Sequence, residues 1–252
     1  YDIEPNTGWD IGNILIQGNT SVGGGSSNNF CNTIQVMGTI AQPLNDVIVS
    51  NNTIRDLHSG RAIGFAAVHG LLIQGNIIHS SIGGSIGPSS GINPASPISN
   101  VSIVHNILRG GGGILYGRSP GSITPVLIAN NHIEAPVTGI SVGVVTGGTI
   151  TGNTISNATG QGVVLTDVSR MVVSNNISQN GALNGLRLLG NSNNNIITSN
   201  VLSGNTQRGI SEEGTSDFNI VRNNNLTNNT VGALSVIGIN TVALDNMGVP
   251  SE

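Results

Sequence analysis

The chain has no lysine and only one cysteine. All 8 of its basic residues are arginines. The chain has 12 acidic residues, and the net charge of the 252 residues is therefore -4. A chain with this balance offers no basic face to a phosphate backbone, so nucleic acid is excluded as an expected partner. The single cysteine, Cys31, has no second cysteine with which to form an internal disulfide and is expected to pack as a small apolar residue.

Long apolar runs and aromatic side chains are also scarce. No run reaches the roughly 18 apolar residues of a membrane-spanning helix, so no membrane span is predicted. Aromatic residues make up 2% of the chain, which argues against a core built on large rings. Hydrophobic residues still make up 37%, too many for a disordered chain, and the protein is therefore expected to fold.

Glycine and asparagine are abundant instead, with 37 and 35 residues respectively. Both are poor helix formers. Valine, isoleucine, leucine and threonine, which suit a pleated sheet, are plentiful. The composition therefore predicts an all-β protein.

A short phrase recurs along the chain, first as ILIQGNTS at 14–21 and then as VIVSNNTI at 47–54. Nine copies align, and TVALDNMG at 241–248 is a less regular tenth. The aligned asparagines are Asn19, Asn52, Asn76, Asn106, Asn131, Asn153, Asn176, Asn200 and Asn224. A repeat of this length is typical of a solenoid, here of about ten coils of 22–24 residues.

Apolar and polar residues alternate within each copy, and a second segment of the type GVVLT at 162–166 follows each later copy, so several short strands form each coil. The asparagine of each coil is expected at a bend, pointing inward and bonding to the asparagine of the next coil. The prediction is a parallel β-helix as a single domain over 1–252, with long loops in the coils at 20–44 and 79–100. The absence of a helical cap before Tyr1 or after TVALDNMG leads us to expect a chain trimmed from a longer one, or end-to-end or lateral self-association.

The repeats resemble the right-handed parallel β-helix superfamily of pectate-lyase-like and polygalacturonase-like proteins, from Tyr1 to about Met247. The resemblance implies a right-handed solenoid and an extracellular or cell-surface location. Because the superfamily includes both enzymes and binding proteins, two functions stay open. One is a carbohydrate-active protein of hydrolase or lyase type that acts on a polysaccharide. The other is a non-catalytic adhesin, phage tailspike shaft or extracellular filament component.

Charged residues break the repeat in one region. All five histidines lie between His58 and His132, and the third residue after four consecutive aligned asparagines is charged. The predicted substrate-binding residues are Arg55, Asp56, His58, Arg61, His79, Arg109 and Glu134. Arginines in such a column suit the carboxylates of acidic sugars, which a guanidinium binds through two hydrogen bonds. The alternative is a solvated polar column in which Arg109 and Glu134 form a surface ion pair worth less than about 1 kcal/mol.

The opening segment YDIEPN supplies the candidate catalytic residues. Asp2 and Glu4 lie two residues apart in a predicted strand and therefore project from one face, as paired carboxylates do for general acid and base work. Asp2 resembles the catalytic aspartate that polygalacturonase-like enzymes carry on a related strand. The next coil has Asn32 and Gln35 where that family has an aspartate pair, so the resemblance does not extend to the whole site. The alternative is an ordinary strand end.

No group of cysteines and histidines has the spacing of a zinc site, and no metal is predicted. Calcium is chemically compatible with Asp2, Glu4 and loop carbonyls, but no motif indicates it. The cofactor requirement therefore stays open.

Overall fold

The computed structural model describes residues 1–3, 12–23, 33–57, 60–80, 84–88, 97–117 and 125–249. These residues contain 28 short strands, numbered β1 to β28 along the chain, and no helix. All the strand pairs are parallel and form three sheets. The chain visits the first, second and third sheets in turn and then begins the next coil, which is the path of a parallel β-helix.

The first sheet consists of β1 (Asp2–Ile3), β4 (Ile34–Met37), β7 (Arg61–Ala66), β10 (Ser85–Pro88), β13 (Ile114–Tyr116), β16 (Ile140–Gly143), β19 (Val163–Thr166), β22 (Leu186–Leu189), β25 (Arg208–Glu212) and β27 (Gly232–Ser235). The second consists of β2 (Gly12–Gln17), β5 (Leu44–Ser50), β8 (Val68–Gln74), β11 (Ile98–Val104), β14 (Val126–Ala129), β17 (Thr146–Thr151), β20 (Ser169–Ser174), β23 (Ile196–Thr198), β26 (Ile220–Arg222) and β28 (Val242–Leu244). The third consists of β3 (Thr20–Val22), β6 (Thr53–Arg55), β9 (Ile77–His79), β12 (Ile107–Arg109), β15 (His132–Glu134), β18 (Thr154–Ser156), β21 (Ile177–Gln179) and β24 (Val201–Ser203).

The third sheet is shorter than the other two. Among the described residues it has eight strands, whereas the first and second sheets have ten each. The last two turns reach the position of the third sheet only as isolated bridges at Asn225 and Met247. The all-β solenoid is confirmed, and eight turns are complete, slightly fewer than the ten coils that the repeats predict.

The core is a stack of aliphatic side chains from neighbouring turns. In the second sheet Val49, Ile73, Ile103, Ile128 and Ile150 are register partners on consecutive strands, and each is fully buried. Burying an aliphatic side chain of this size stabilises the fold by about 1.5 to 3 kcal/mol. The alternation predicted from the sequence therefore reflects one face of each strand turned to this core.

The predicted asparagine ladder is confirmed. Asn131 illustrates it, because its buried Nδ2 donates to Oδ1 of Asn153 at 2.9 Å and to the carbonyl oxygen of Ile103 at 2.9 Å. Its backbone N–H donates to the same Oδ1 of Asn153 at 3.0 Å. Equivalent side-chain bonds join each ladder asparagine to the next from Asn19 to Asn246. Every turn thus pairs polar groups that would be costly to bury alone.

Two shorter ladders were not predicted. Asn195 donates its side-chain N–H to Asn219 at 3.0 Å, and Asn205 donates to Asn229 at 3.0 Å. Each of these pairs joins only two neighbouring turns, so no long repeat marks it in the sequence. They make the C-terminal turns richer in polar bonds than the others.

A buried carboxylate ends the core column of the first sheet. Glu212 is the register partner of Leu188 and is 2% exposed. Its two oxygens accept hydrogen bonds from four donors at 2.7 to 3.1 Å: Asn219 Nδ2, Thr241 Oγ1, Ile237 N and Gly238 N. Glu212 therefore holds the segment 237–241 across the last turn, which the sequence did not predict.

Candidate functional site

The structure places four of the predicted site residues in one column of the third sheet. The Cα register pairs Arg55 with His79, His79 with Arg109, and Arg109 with Glu134, on the consecutive strands β6, β9, β12 and β15. Neighbouring strands lie about 4.8 Å apart. The four side chains, which we call the charged column, therefore follow the axis of the solenoid over three strand spacings.

The alternation of the strands turns this column outward. The residue before each member faces the core, and Ile54, Ile78, Leu108 and Ile133 are at most 1% exposed. Side chains of successive strand residues point to opposite faces. Arg55, His79 and Arg109 are accordingly exposed, and Glu134 is half-buried.

One ion pair lies within the charged column. Arg109 Nε is 3.4 Å from Glu134 Oε2, and the two side chains are 56% and 46% exposed. A pair this exposed contributes less than about 1 kcal/mol, because water screens it. Arg55 makes no ion pair with any other residue that the structure describes. The column therefore offers one arginine, Arg55, that has no acidic partner within the described ranges, and one, Arg109, that is weakly paired.

His132 belongs to the same surface, although the sequence reading did not include it among the site residues. It lies two positions before Glu134 on β15, and both side chains project from the same face of that strand. It is exposed, and its register partners are Ile107 and Thr154. The two-residue period of the strand is the signal that identifies it, since it lies two residues before Glu134 of the charged column.

The other described residues of the predicted binding set lie outside the charged column. Asp56 follows β6 directly, is exposed and has a φ of 55°, a left-handed conformation that aspartate tolerates. Arg61 begins β7 of the first sheet and is only 8% exposed, so its side chain does not extend the exposed surface. His58 lies outside the described residues.

The candidate catalytic residue Asp2 is on a different sheet from the charged column. It lies in β1 of the first sheet, where its Cα partner is Gln35. Glu4 lies outside the described residues, as do Cys31 and much of the two predicted long loops. The pairing of Asp2 with Glu4 as acid and base therefore stays a prediction.

A second ion pair lies on the outer face of the first sheet and provides a comparison. Arg187 donates to Glu213 through Nε at 2.9 Å and through Nη2 at 2.6 Å. The hydrogen bond from Arg187 lowers the pKa of the Glu213 carboxyl from its usual value. This two-point contact is closer than the single contact between Arg109 and Glu134, and it leaves the guanidinium of Arg187 less available to a ligand.

Within the part of the chain that the structure describes, no group of three or more histidine, cysteine, aspartate or glutamate side chains is arranged to hold a metal ion. None of those residues forms a helix long and apolar enough to cross a membrane.

Comparison with known proteins agrees with the fold. A family model described as a right-handed β-helix region matches residues 86–246, which is more than half of the chain. The chain therefore belongs to the right-handed β-helix family, and the predicted right-handed parallel β-helix is confirmed. No curated protein sequence matches it.

Among solved structures, the chain is similar to the periplasmic alginate epimerase AlgG, with 14% identity and a TM-score of 0.73 over 92% of this chain. It spans 60% of the length of that epimerase. A double mutant of the same epimerase matches with 14% identity, a TM-score of 0.68, and coverage of 92% of this chain and 62% of the other. Identities this low show a shared fold alone.

Proposed function

We propose that this protein binds and acts on an acidic polysaccharide through the exposed face of its third sheet. The observation that carries the proposal is the charged column, in which Arg55, His79 and Arg109 lie in register on three consecutive strands. A guanidinium forms two parallel hydrogen bonds with a carboxylate. A column of arginines along the axis thus suits an extended chain of sugars that each carry a carboxylate.

The spacing of the column supports a polymeric ligand. Neighbouring strands are about 4.8 Å apart, which is similar to the length of one sugar unit in an extended glycan. Arg55 and Arg109 lie two strand spacings apart, with His79 between them. Two carboxylates of one chain, separated by one sugar, would reach both arginines. Because the site is exposed, added salt should weaken the binding.

The chemistry we propose follows from the same residues. An arginine that neutralises the carboxylate of a uronic acid makes the neighbouring C–H more acidic. His79 and His132, which share the exposed face, are side chains that can accept and return that proton. The structural similarity to an alginate epimerase supports a uronate as the substrate. The alternative reaction that we propose is hydrolysis or elimination of the polysaccharide, with Asp2 and Glu4 as acid and base.

The structural similarity also supports a location outside the cytoplasm, because the similar epimerase is periplasmic. We accordingly propose a periplasmic, extracellular or cell-surface location.

Binding is tested by affinity electrophoresis or calorimetry with polyuronates and with a neutral glucan. Replacing Arg55 and Arg109 by glutamine should weaken binding to the polyuronates at least about tenfold, since each lost charge-assisted bond is worth roughly 1.5 to 3 kcal/mol. Arg187→Gln and Arg222→Gln are matched controls, because these arginines lie on the first and second sheets. If the control variants lost as much affinity for the polyuronates, the proposed site would be rejected, and the binding would be attributed to the overall charge of the protein.

Turnover separates the enzyme from a non-catalytic binding protein. Incubation with the polyuronate that binds best should release reducing ends, create unsaturated sugars or exchange the C5 proton, as measured by NMR. His132→Gln should reduce that turnover and largely retain binding. Binding without any of these three products would support the non-catalytic adhesin or filament component instead.

A further inference from the structure

The outer face of the second sheet carries a column of aliphatic side chains along the whole solenoid. The ten register partners, one on each strand, are Leu15, Ile48, Leu72, Ser102, Leu127, Thr149, Val172, Ile196, Ile220 and Val242. Eight of the ten are aliphatic, and we call this set the aliphatic column. Leu15 is 59% exposed, Ile48 37% and Leu127 38%. An exposed apolar strip of this length, interrupted only at Ser102 and Thr149, indicates an interaction site.

The outward positions of the other two sheets are mixed in character. On the first sheet the outward register partners Ser141, Val164, Arg187 and Ser211 alternate in character. On the third sheet one outward column is the charged column. The other has four aliphatic members among eight: Thr20, Thr53, Ile77, Ile107, His132, Thr154, Ile177 and Val201. The aliphatic column of the second sheet, with eight aliphatic members among ten, is therefore the more continuous of these surfaces.

A furrow runs beside the aliphatic column. Two cavities of about 460 and 380 Å3 lie along the first six turns and share Asn100 and Ser102. Asn13, Asp46, Gly70, Asn100 and Pro125, which lie two positions before members of the aliphatic column, are among the lining residues. We call the residues at this position on the first eight turns the flanking column: Asn13, Asp46, Gly70, Asn100, Pro125, Gly147, Arg170 and Asn194. All of these except Pro125 have a positive φ, so the strands bend there and leave room for side chains of a partner.

The charges of the flanking column are complementary under a two-fold rotation. Asp46 is exposed on the second turn and Arg170 on the seventh, and neither side chain forms an ion pair with any other described residue. A two-fold axis parallel to the strands, midway between the fourth and fifth turns, brings each turn n opposite turn 9 − n of a second copy. It therefore sets Asp46 of one protomer against Arg170 of the partner subunit, twice per dimer.

The same rotation matches the other members of the column. It sets Gly70 against Gly147 of the partner subunit, so the backbones approach without side chains between them. It sets Asn13 against Asn194 of the partner subunit, and two amides can exchange hydrogen bonds. In the aliphatic column it brings Ile48 onto Val172 of the partner subunit. No charged side chain of either column meets a like charge.

We propose that this face binds a second copy of the chain, with the two solenoids antiparallel and the aliphatic columns in contact. The assembly is an isologous dimer in which the same strip serves both protomers. Apolar burial supplies the attraction, and the two pairs of Asp46 with Arg170 of the partner subunit set the register. The charged column lies on the third sheet and does not belong to this contact.

Sedimentation velocity over a range of concentrations tests the dimer. The unaltered protein should dimerise, and Ile48→Lys should be monomeric over the same range because its charge would be buried against Val172 of the partner subunit. Val164→Lys is the matched control, since it places lysine at an outward aliphatic position of the first sheet and should leave the dimer intact. Thermal unfolding should show that all the variants remain folded.

Charge exchange tests the register. Asp46→Arg and Arg170→Asp should each weaken the dimer by roughly tenfold or more, because like charges then meet twice. The double variant should restore most of the lost affinity, since the pairs form again with their signs exchanged. A monomeric unaltered protein, a dimer insensitive to Ile48→Lys, or a double variant as weak as the single ones would each overturn the proposal.

Discussion

Each ladder asparagine satisfies several backbone and side-chain groups at once. Asn131 donates to Asn153, Ile103 and Ala129, and its Oδ1 accepts from the backbone and the side chain of Asn106. Only an amide of this length both donates and accepts at this bend. Aspartate would lack the donor, and glutamine would not fit the same distance between turns.

Replacing one ladder residue should therefore be costly. We expect Asn131→Ala to lower the free energy of unfolding by roughly 2 to 4 kcal/mol, since it leaves several buried groups unpaired at about 1 to 3 kcal/mol each. Asn191→Ala is the control, because that side chain is exposed, and its effect should be below about 0.5 kcal/mol. Urea denaturation measures both. Equal effects would mean that the ladder does not stabilise the core.

A substitution of Glu134 shows whether this side chain opposes or supports the binding of an acidic polysaccharide. It is 3.4 Å from Arg109 and adds a negative charge to a surface that is proposed to bind a polyanion. Glu134→Gln should strengthen binding of a polyuronate up to about fivefold, because it frees Arg109 from a pair worth less than about 1 kcal/mol. Weaker binding in calorimetry would instead show that Glu134 itself contacts the sugar.

At the scale of the element, β25 places two adjacent glutamates in opposite environments. Glu212 points into the core and accepts four hydrogen bonds, while Glu213 follows the strand and pairs with Arg187 at the surface. The difference follows from the period of a strand, in which consecutive side chains face opposite sides.

These two residues form a matched test. Glu212→Ala should destabilise the protein by roughly 2 to 4 kcal/mol, because four donors lose their acceptor. Glu213→Ala should cost less than about 1 kcal/mol, since its partner is partly solvated. Limited proteolysis should also cleave near 237–241 faster in the first variant alone. Similar values for both would show that the buried carboxylate does not hold that segment.

At the scale of the whole molecule, the solenoid is a linear stack in which each turn contacts only its neighbours. The stability of such a stack is close to a sum of terms for single turns and their interfaces. Local damage should consequently stay local, and the ends should open more readily than the middle.

Hydrogen exchange of the two destabilised variants tests this behaviour. Glu212→Ala should increase exchange in the turns from about β25 onward and leave β14 to β18 protected. Asn131→Ala should increase exchange around β11 to β17. A uniform increase along the chain in both variants would show that the stack unfolds as one cooperative unit.

The periodic features of this fold were open to prediction because each one repeats. The ladder from Asn19 to Asn224 recurs nine times, and the alternation within each copy identifies the buried face. Glu212 was missed because it occupies a core position that is aliphatic in the preceding turn. Arg61 is among the predicted binding residues although the structure buries it, since distance along the chain does not show which way a corner turns the side chain.

The sequence by itself determined the architecture, the ladder and the alignment of Arg55, His79, Arg109 and Glu134, because equivalent positions of a solenoid stack directly upon one another. Only the tertiary structure decided how the three sheets divide those residues. It placed Asp2 on the first sheet, the charged column on the third and the aliphatic column on the second. The corners of each turn set these faces, and their geometry depends on packing between turns that no single repeat contains.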